Sequence, residues 1–490
     1  LNFTCLIRGI SRHIPDHDAV ITGGTATSFQ EFWRKIVAVG SCYRRWNVST
    51  GDRVILVLPN GLDFLLSHFA ALKIGAISVP LKNEYKWWEL NPIIAECRPH
   101  LLVSDDAWLD ENLHALELPA ETRVASVDRL SPDFCDDCDS PPSALSSHAL
   151  ASINYTYTGD GVPKGAMLTH ANHIYAATGY ARHQGFTAQD RFLIILPMSH
   201  VFALSGCVNS GLIRGSTLAI QNSLAPKAIL AAIEKHRITI LSAVPCVFQY
   251  LARFPRKDRY DLSSLRLCVT GGDYMPADFH QEYEKGLGAQ IVQGYGLTES
   301  LPIICNPPGR RNQPGTLGIP GRKDIEIRIV DGNSQELPCG EIGEIIIRSP
   351  TTMSGYYRRS RDTQKVLRGG WLYTGDWGKL GEDGFLHFCG VKKNIFNLYG
   401  NKVDPLEVSR ALLEHPMVDH VEIYPETLEG TREQQICACV VVKLGGEKLS
   451  SSELREFLKM RIAGYKIPKK IFILSKAAEI EKQNYLSKGV

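Results

Sequence analysis

The segment GDRVILVLPNGLDFLLSHFAALKIGAISVPL, residues 51–81, constrains the fold more than any other stretch of the chain. A β-rich apolar run leads into a turn at Pro59, Asn60 and Gly61, apolar residues follow at helical spacing, and a second apolar run closes the segment. Two buried strands joined through a helix predict a βαβ unit with parallel strands. The same grammar recurs at ITILSAVPCVFQYLARF, LRLCVTGGDYMPADFHQEYEKGL and AQIVQGYGL. The predicted class is therefore α/β, with layered and mostly parallel sheets whose ligand crevice lies at the carboxyl ends of the strands.

At 490 residues the chain exceeds one comfortable core, and its pattern changes twice. From about Gly315 the strands shorten and turns multiply, predicting a β-rich subdomain over roughly 315–388, with EIRIVDGNSQELP read as two strands around Asp331 and Gly332. Near the end, Ser450 and Glu453 form a capping box ahead of Leu454, Phe457, Leu458 and Ile462, and the strand KKIFIL follows. The division expected is a body at 1–389 and a small, mobile α+β domain at 390–490.

With 54 basic and 52 acidic side chains, no global field draws the chain to nucleic acid or anionic lipid. Residues 192–213 lack Asp, Glu, Lys and Arg, but Pro197, His200, Asn209 and several serines interrupt them, so a strand, a loop and a buried helix are expected there rather than a membrane span. The opening LNFTCLIRGISRHIP has no basic flank leading into a long apolar stretch, as a secretory leader needs. Thirteen irregularly spaced cysteines fit reduced thiols and a cytoplasmic setting. The lone C-x-x-C of Cys135 and Cys138 reads as an exposed acidic loop, since a zinc site needs further ligands at matching spacing.

YTYTGDGVPKGAMLTH, residues 155–170, is a Gly/Thr-rich turn with a lysine, placed between an apolar strand and an expected helix. Glycines let backbone N–H groups face phosphate oxygens, and Thr hydroxyls with a Lys add donors and charge. LPMSHVF at 196–202, VTGGDYMP at 269–276, QGYGLTES at 293–300, YTGDWGKL at 373–380 and VKKNIFNLYGNKVDPLEV at 391–408 follow in order. Together these six blocks resemble the superfamily of acyl-CoA synthetases, nonribosomal adenylation domains and luciferases, from about residue 20 to the end.

The resemblance implies an ATP-dependent enzyme that activates a carboxylic acid as its acyl adenylate and passes the acyl group to a thiol. It implies that Thr156, Tyr157, Thr158, Gly159, Gly161 and Lys164 form the phosphate loop, that Thr298 binds the α-phosphate and that Glu299 holds Mg2+. By the same likeness Tyr295, in its turn with Gly296, offers a face to adenine, Asp376 accepts the ribose hydroxyls, and His200 borders the acyl pocket near the reacting carboxylate. Gly271 and Gly272 permit close approach of adenine or the acyl group. EIEKQNYLSKGV matches the family's closing element with Ser487 where glycine usually stands, making Lys488 the catalytic lysine. Gly390 is the hinge and Gly400 leaves room for pantetheine.

Two departures stand out. The family's loop usually reads Thr-Ser-Gly-Thr-Thr-Gly, and Asp160 falls inside its counterpart here. A carboxylate about 4 Å from a phosphate is repelled by about 4 kcal/mol at an effective dielectric near 20, so Asp160 either points away or positions magnesium or Lys164. At the hinge, Val391 stands where an arginine is usual. The segment after LPMSH lacks the Phe-Asp pattern of amino-acid-activating relatives, which favours a fatty or aryl acid. Coenzyme A is the expected acceptor, with a separate acyl carrier protein, or a binding protein that has lost catalysis, as the alternatives.

Overall fold

The computed structural model describes residues 1–129, 141–309, 311–391, 395–398, 401–427, 434–443 and 449–475. Cys135, Cys138, Gly400, Ser487 and Lys488, singled out above, lie outside the described residues.

Two large sheets form the body. The first runs in the order Arg123–Ser126, Leu101–Ser104, Arg53–Val57, Ile77–Leu81, Leu150–Tyr157, Pro163–Thr169; all neighbours are parallel except the last pair. The second has nine strands, with Asp18–Thr22, Thr217–Ile220, Arg191–Ile194, Ile240–Ala243, Leu267–Thr270 and Gln290–Leu297 parallel in that order and antiparallel strands at both ends. Residues 51–81 are the expected βαβ unit, with the helix Leu62–Ile74 between its strands and Gly75, at φ +86°, closing the helix in a left-handed turn.

The apolar runs are continuous because both faces of each sheet are covered. Val54 and Leu56 point into a central core shared by the two sheets, together with Phe192 and Ile194, while Ile55 and Val57 face an outer layer and Leu193 and Ile195 another. Helices Phe29–Arg45 and Leu62–Ile74 fill the central layer with Phe32, Ile36, Phe64 and Phe69. The charge-free run 192–213 resolves into the end of a strand, a turn at Pro197 and a buried helix, Phe202–Asn209, of the wider π spacing. Among the described residues no helix is long and apolar enough to cross a membrane, and the described cysteines are free thiols.

The β-rich region departs from expectation in one place. Glu326–Val330 does pair in antiparallel fashion, but with Gly343–Arg348. The Asp331 carboxylate accepts the backbone N–H groups of Asn333 and Gln335, which curls the chain into a tight turn and leaves only an isolated bridge between Val330 and Glu336.

Residues 396–471 supply a separate apolar cluster around the sheet Val418–Thr427, Gln434–Val442, Lys470–Ser475. Helix Ser451–Lys459 carries the expected capping box, with Ser450 Oγ accepting from Glu453 N at 3.2 Å and Glu453 accepting from Ser450 N at 2.8 Å, and buries Leu454 and Leu458.

This cluster meets the body through a buried ion triad. Lys466, fully buried, donates to Glu407 at 2.6 Å and to Glu89, a carboxylate in the first turn of the helix Trp87–Cys97. Glu89 also accepts Ala463 N at 2.9 Å, and the Tyr85 and Tyr157 rings flank the ammonium at 4.9 and 4.6 Å. Burial lifts the Glu407 carboxyl to about 7, against the pull of Lys466, with Glu89 and Tyr157 the other ionisable groups facing it. Unfolding returns Glu407 to the ordinary carboxylate range, so the native state binds the extra proton, and its stability falls as pH rises from that range through about 7. Urea unfolding is therefore expected to show a lower midpoint at pH 8 than at pH 6, and Glu407→Gln to flatten the difference. Lys466→Met, which leaves two carboxylates buried without a counter-charge, is expected to cost about 3–5 kcal/mol in the same measurement.

Candidate active site

Strands Leu267–Thr270 and Gln290–Leu297 are parallel neighbours, with Thr270 opposite Gln293, so the chain leaves both at the same edge of the sheet. A cavity of about 330 Å³ opens there. Its wall brings together His200, Gly271, Gly272, Tyr295, Gly296, Thr298, Glu299 and Asp376, residues from four separated motifs. Gly390, Val391, Ile395, Lys402 and Gln434 close it from the C-terminal side.

Space at these glycines is tight. A Cβ on Gly271 would lie 3.2 Å from the Phe202 ring, and one on Gly296 would lie 2.5 Å from Pro302. Gly272 adopts φ +77°, which a side chain rarely tolerates.

His200 follows the turn at Pro197, and its Nδ1 accepts the Phe202 backbone N–H at 3.2 Å, which fixes the neutral tautomer with the proton on Nε2. The ring keeps a partly open edge on the cavity, yet enclosure by protein lowers its pKa to about 3, with Lys82 and Lys402 adding repulsion. His200 is thus a neutral donor across the working pH range.

Tyr295 donates its hydroxyl to Asp376 at 2.6 Å, and burial together with that carboxylate raises the phenol well above its usual range. The Asp376 backbone is paired with Val391 of the strand Leu386–Val391, so the carboxylate and the segment around Gly390 share one ladder. Glu299 is nearly buried and accepts the Tyr356 hydroxyl at 2.7 Å through Oε1. One carboxylate presented to a cavity suits Mg2+, which keeps waters and takes its remaining ligands from substrate phosphates. Among the described residues no group of three His, Cys, Asp or Glu side chains forms a metal cage.

The phosphate-loop residues are arranged differently from expectation. The motif sits on a β-hairpin, Leu150–Tyr157 turning into Pro163–Thr169, and the helix begins only at His170. Thr156 and Lys164 face each other across the strands. Only Tyr157 of the loop reaches the cavity wall; Thr156, Thr158, Gly159, Gly161 and Lys164 do not line it. Asp160 pairs with Lys164 at 2.7 Å.

The cavity also uses residues that local pattern does not single out. Phe202 stands two positions after His200 and Phe388 two before Gly390, so proximity to a motif was the available signal. Tyr180, on the helix His170–His183, is buried with its hydroxyl beside the Cys305 thiol, and nothing in its neighbourhood announces it. Tyr356 becomes relevant only through its bond to Glu299.

Comparison with known proteins gives the chain's relatives. A feruloyl-CoA synthase from Amycolatopsis sp is 31% identical over 464 residues, covering 94% of this chain and 92% of that protein. A long-chain-fatty-acid–CoA ligase from Bacillus subtilis is 28% identical over 93% of this chain and 88% of its own length. Among solved structures, o-succinylbenzoate CoA synthetase from Bacillus subtilis, bound with a product analogue, superposes with a TM-score of 0.84 at 25% identity over 96% of this chain and 94% of that one. The amide bond synthetase McbA from Marinactinospora thermotolerans gives 0.87 at 25% identity over 97% and 96%. Residues 9–357 match the AMP-binding enzyme family and residues 407–482 match the AMP-binding enzyme C-terminal domain, so the chain belongs to the AMP-binding enzymes.

Proposed function

We propose that this chain is an acid–CoA ligase for a compact aryl acid, working through an acyl adenylate. Joining a carboxylic acid to coenzyme A is the activity named for the feruloyl-CoA synthase and the long-chain-fatty-acid–CoA ligase, which the chain resembles over nearly its whole length. The observation that carries the reading is the convergence of His200, the Gly271–Gly272 turn, Thr298, Glu299 and Asp376 on one cavity. The choice of an aryl acid rests on the aromatic walls supplied by Phe202 and Tyr180 and on the feruloyl-CoA synthase relative.

In the first step a carboxylate oxygen bonds to the α-phosphorus of ATP, the bond to the bridging oxygen breaks, and pyrophosphate leaves with its electron pair. Thr298 donates to the α-phosphate, Asp376 accepts the ribose hydroxyls, and His200 Nε2–H orients the carboxylate. Glu299 would hold Mg2+, whose charge offsets that of the phosphates. Lys488, carried over by likeness alone, would hold carboxylate and phosphate together as charge builds on the leaving oxygen. In the second step the thiol of coenzyme A loses its proton to solvent as its sulfur bonds to the acyl carbon, the acyl C–O bond to the phosphate breaks and AMP departs with the electron pair, with the C-terminal residues turning about Gly390 between the two steps.

An acid-library screen for ATP-dependent hydroxamate formation, with Lys488→Ala as control, tests the reading. Hydroxycinnamates and benzoates are expected to respond above C12–C16 fatty acids, and coenzyme A to outperform a phosphopantetheinyl carrier protein as acceptor. Silence across all acids would sink the enzyme assignment, and a preference for long chains would sink the aryl one. Glu299→Gln is expected to lower adenylation by about 10²-fold and to raise the Mg2+ concentration needed for half-maximal rate. His200→Ala is expected to slow the first step by the same factor at pH 6 and at pH 8, because the ring stays neutral until about pH 3; a loss confined to pH 6 would show that it titrates.

A further inference from the structure

The hairpin turn of the phosphate loop is gripped by the C-terminal domain. Gly161 N donates to Asp404 Oδ2 at 2.7 Å, and Gly161 O accepts from Arg410 at 3.0 Å. A Cβ on Gly161 would lie 3.0 Å from both Leu406 and Arg410, so glycine is what admits the helix Pro405–Leu413 to the turn. Asp404 is fully buried, and its other oxygen caps that helix by accepting Leu406 N at 3.0 Å. Meanwhile Lys164 is held by Asp160. A backbone N–H and a lysine that would serve a polyphosphate are thus both engaged by carboxylates. In the same arrangement Asn401 accepts from Lys82 at 2.5 Å and Lys402 stands in the cavity wall.

We infer that Asp404 is a positioning residue that competes with pyrophosphate for the Gly161 N–H, so that the C-terminal domain docks for the thiol step only once pyrophosphate has left. The inference rests on the reading of residues 156–164 as the phosphate loop. While the loop holds polyphosphate, the Asp404 carboxylate meets like charge and loses its donor. After release, the exposed donor recruits Asp404, and the segment before it carries Lys402 to the cavity. Competition at one donor makes the coupling reciprocal: what weakens docking strengthens pyrophosphate binding by the same factor.

The test uses Asp404→Asn, because the amide oxygen can keep the helix cap while the NH2 that replaces the second carboxylate oxygen cannot accept the Gly161 N–H, so the docking bond is lost together with the charge. Magnesium pyrophosphate is titrated without ATP or acid, and single-turnover attack of coenzyme A on pre-formed acyl adenylate is timed separately. The variant is expected to bind pyrophosphate on the order of tenfold tighter and to slow the thiol step by a similar factor. Unchanged or weaker pyrophosphate binding overturns the competition, as does an unaffected thiol step. Lys164→Ala separates the two failures. If it leaves pyrophosphate affinity unchanged, the phosphate-loop reading falls and takes the inference with it; if it weakens binding while Asp404→Asn does not tighten it, only the coupling falls.

Discussion

The contact on which the rest of the molecule depends is the ammonium of Lys466, held without solvent between Glu89 of the body and Glu407 of the C-terminal cluster. Burying a charge is tolerable only when counter-charges lie within hydrogen-bond reach, and here they come from helices on opposite sides of an interface. Both carboxylates occupy first turns, where helix N-termini favour negative charge. An apolar contact of equal area could slide; this one has a single register. Fixing Glu407 fixes the helix Pro405–Leu413, and with it the approach of Asp404 and Arg410 to Gly161 and of Lys402 to the cavity.

Sheet topology does the corresponding work on the other side of the cavity. Parallel neighbours end at a common edge, so the turn after Thr270 and the end of the strand at Tyr295 face one space although a helix and a loop intervene in the chain. Tyr295 then reaches across to Asp376, and Asp376 is laddered to Val391. A rotation of the chain about Gly390 acts beside the proposed ribose acceptor. The site and the proposed pivot share one strand pair, which gives the departure at Val391 its physical setting: its side chain is exposed, and the pairing runs through the backbone.

What could be read from the residues follows from the range of the forces involved. The βαβ unit at 51–81 was legible because apolar periodicity is local, and the capping box at Ser450 because it spans three residues. The hairpin carrying the phosphate loop was not, since PKGAMLT has the composition of either element and becomes a strand only by pairing with Leu150–Tyr157. Glu326–Val330 was recognisable as a strand, whereas its partner was decided by an Asp331 turn that used up the nearer candidate. The motifs pointed to Gly271, Gly272, Thr298, Glu299 and Asp376, which line one cavity. Tyr180, the Lys466 triad and the Asp404 contact join residues far apart in sequence, and no local pattern marks one end of such a pair for the other.

The altered phosphate loop then has a reading other than decay. A family loop rich in hydroxyl donors waits open for phosphate, whereas this one brings its own anion, Asp160, to its own lysine. The Asp160 side chain remains 49% exposed, so the pair is partly hydrated and stabilises the loop by about 0–1 kcal/mol at most. A magnesium-bound polyphosphate offers Lys164 a larger charge at the same distance and displaces a weak partner at small cost. Asp404 differs in kind: it is buried, shares its carboxylate with a helix cap, and arrives only with the domain behind it. On the proposed competition, the exposed carboxylate keeps Lys164 positioned between turnovers and the buried one reports whether the loop is vacant, a division that follows from their different solvation.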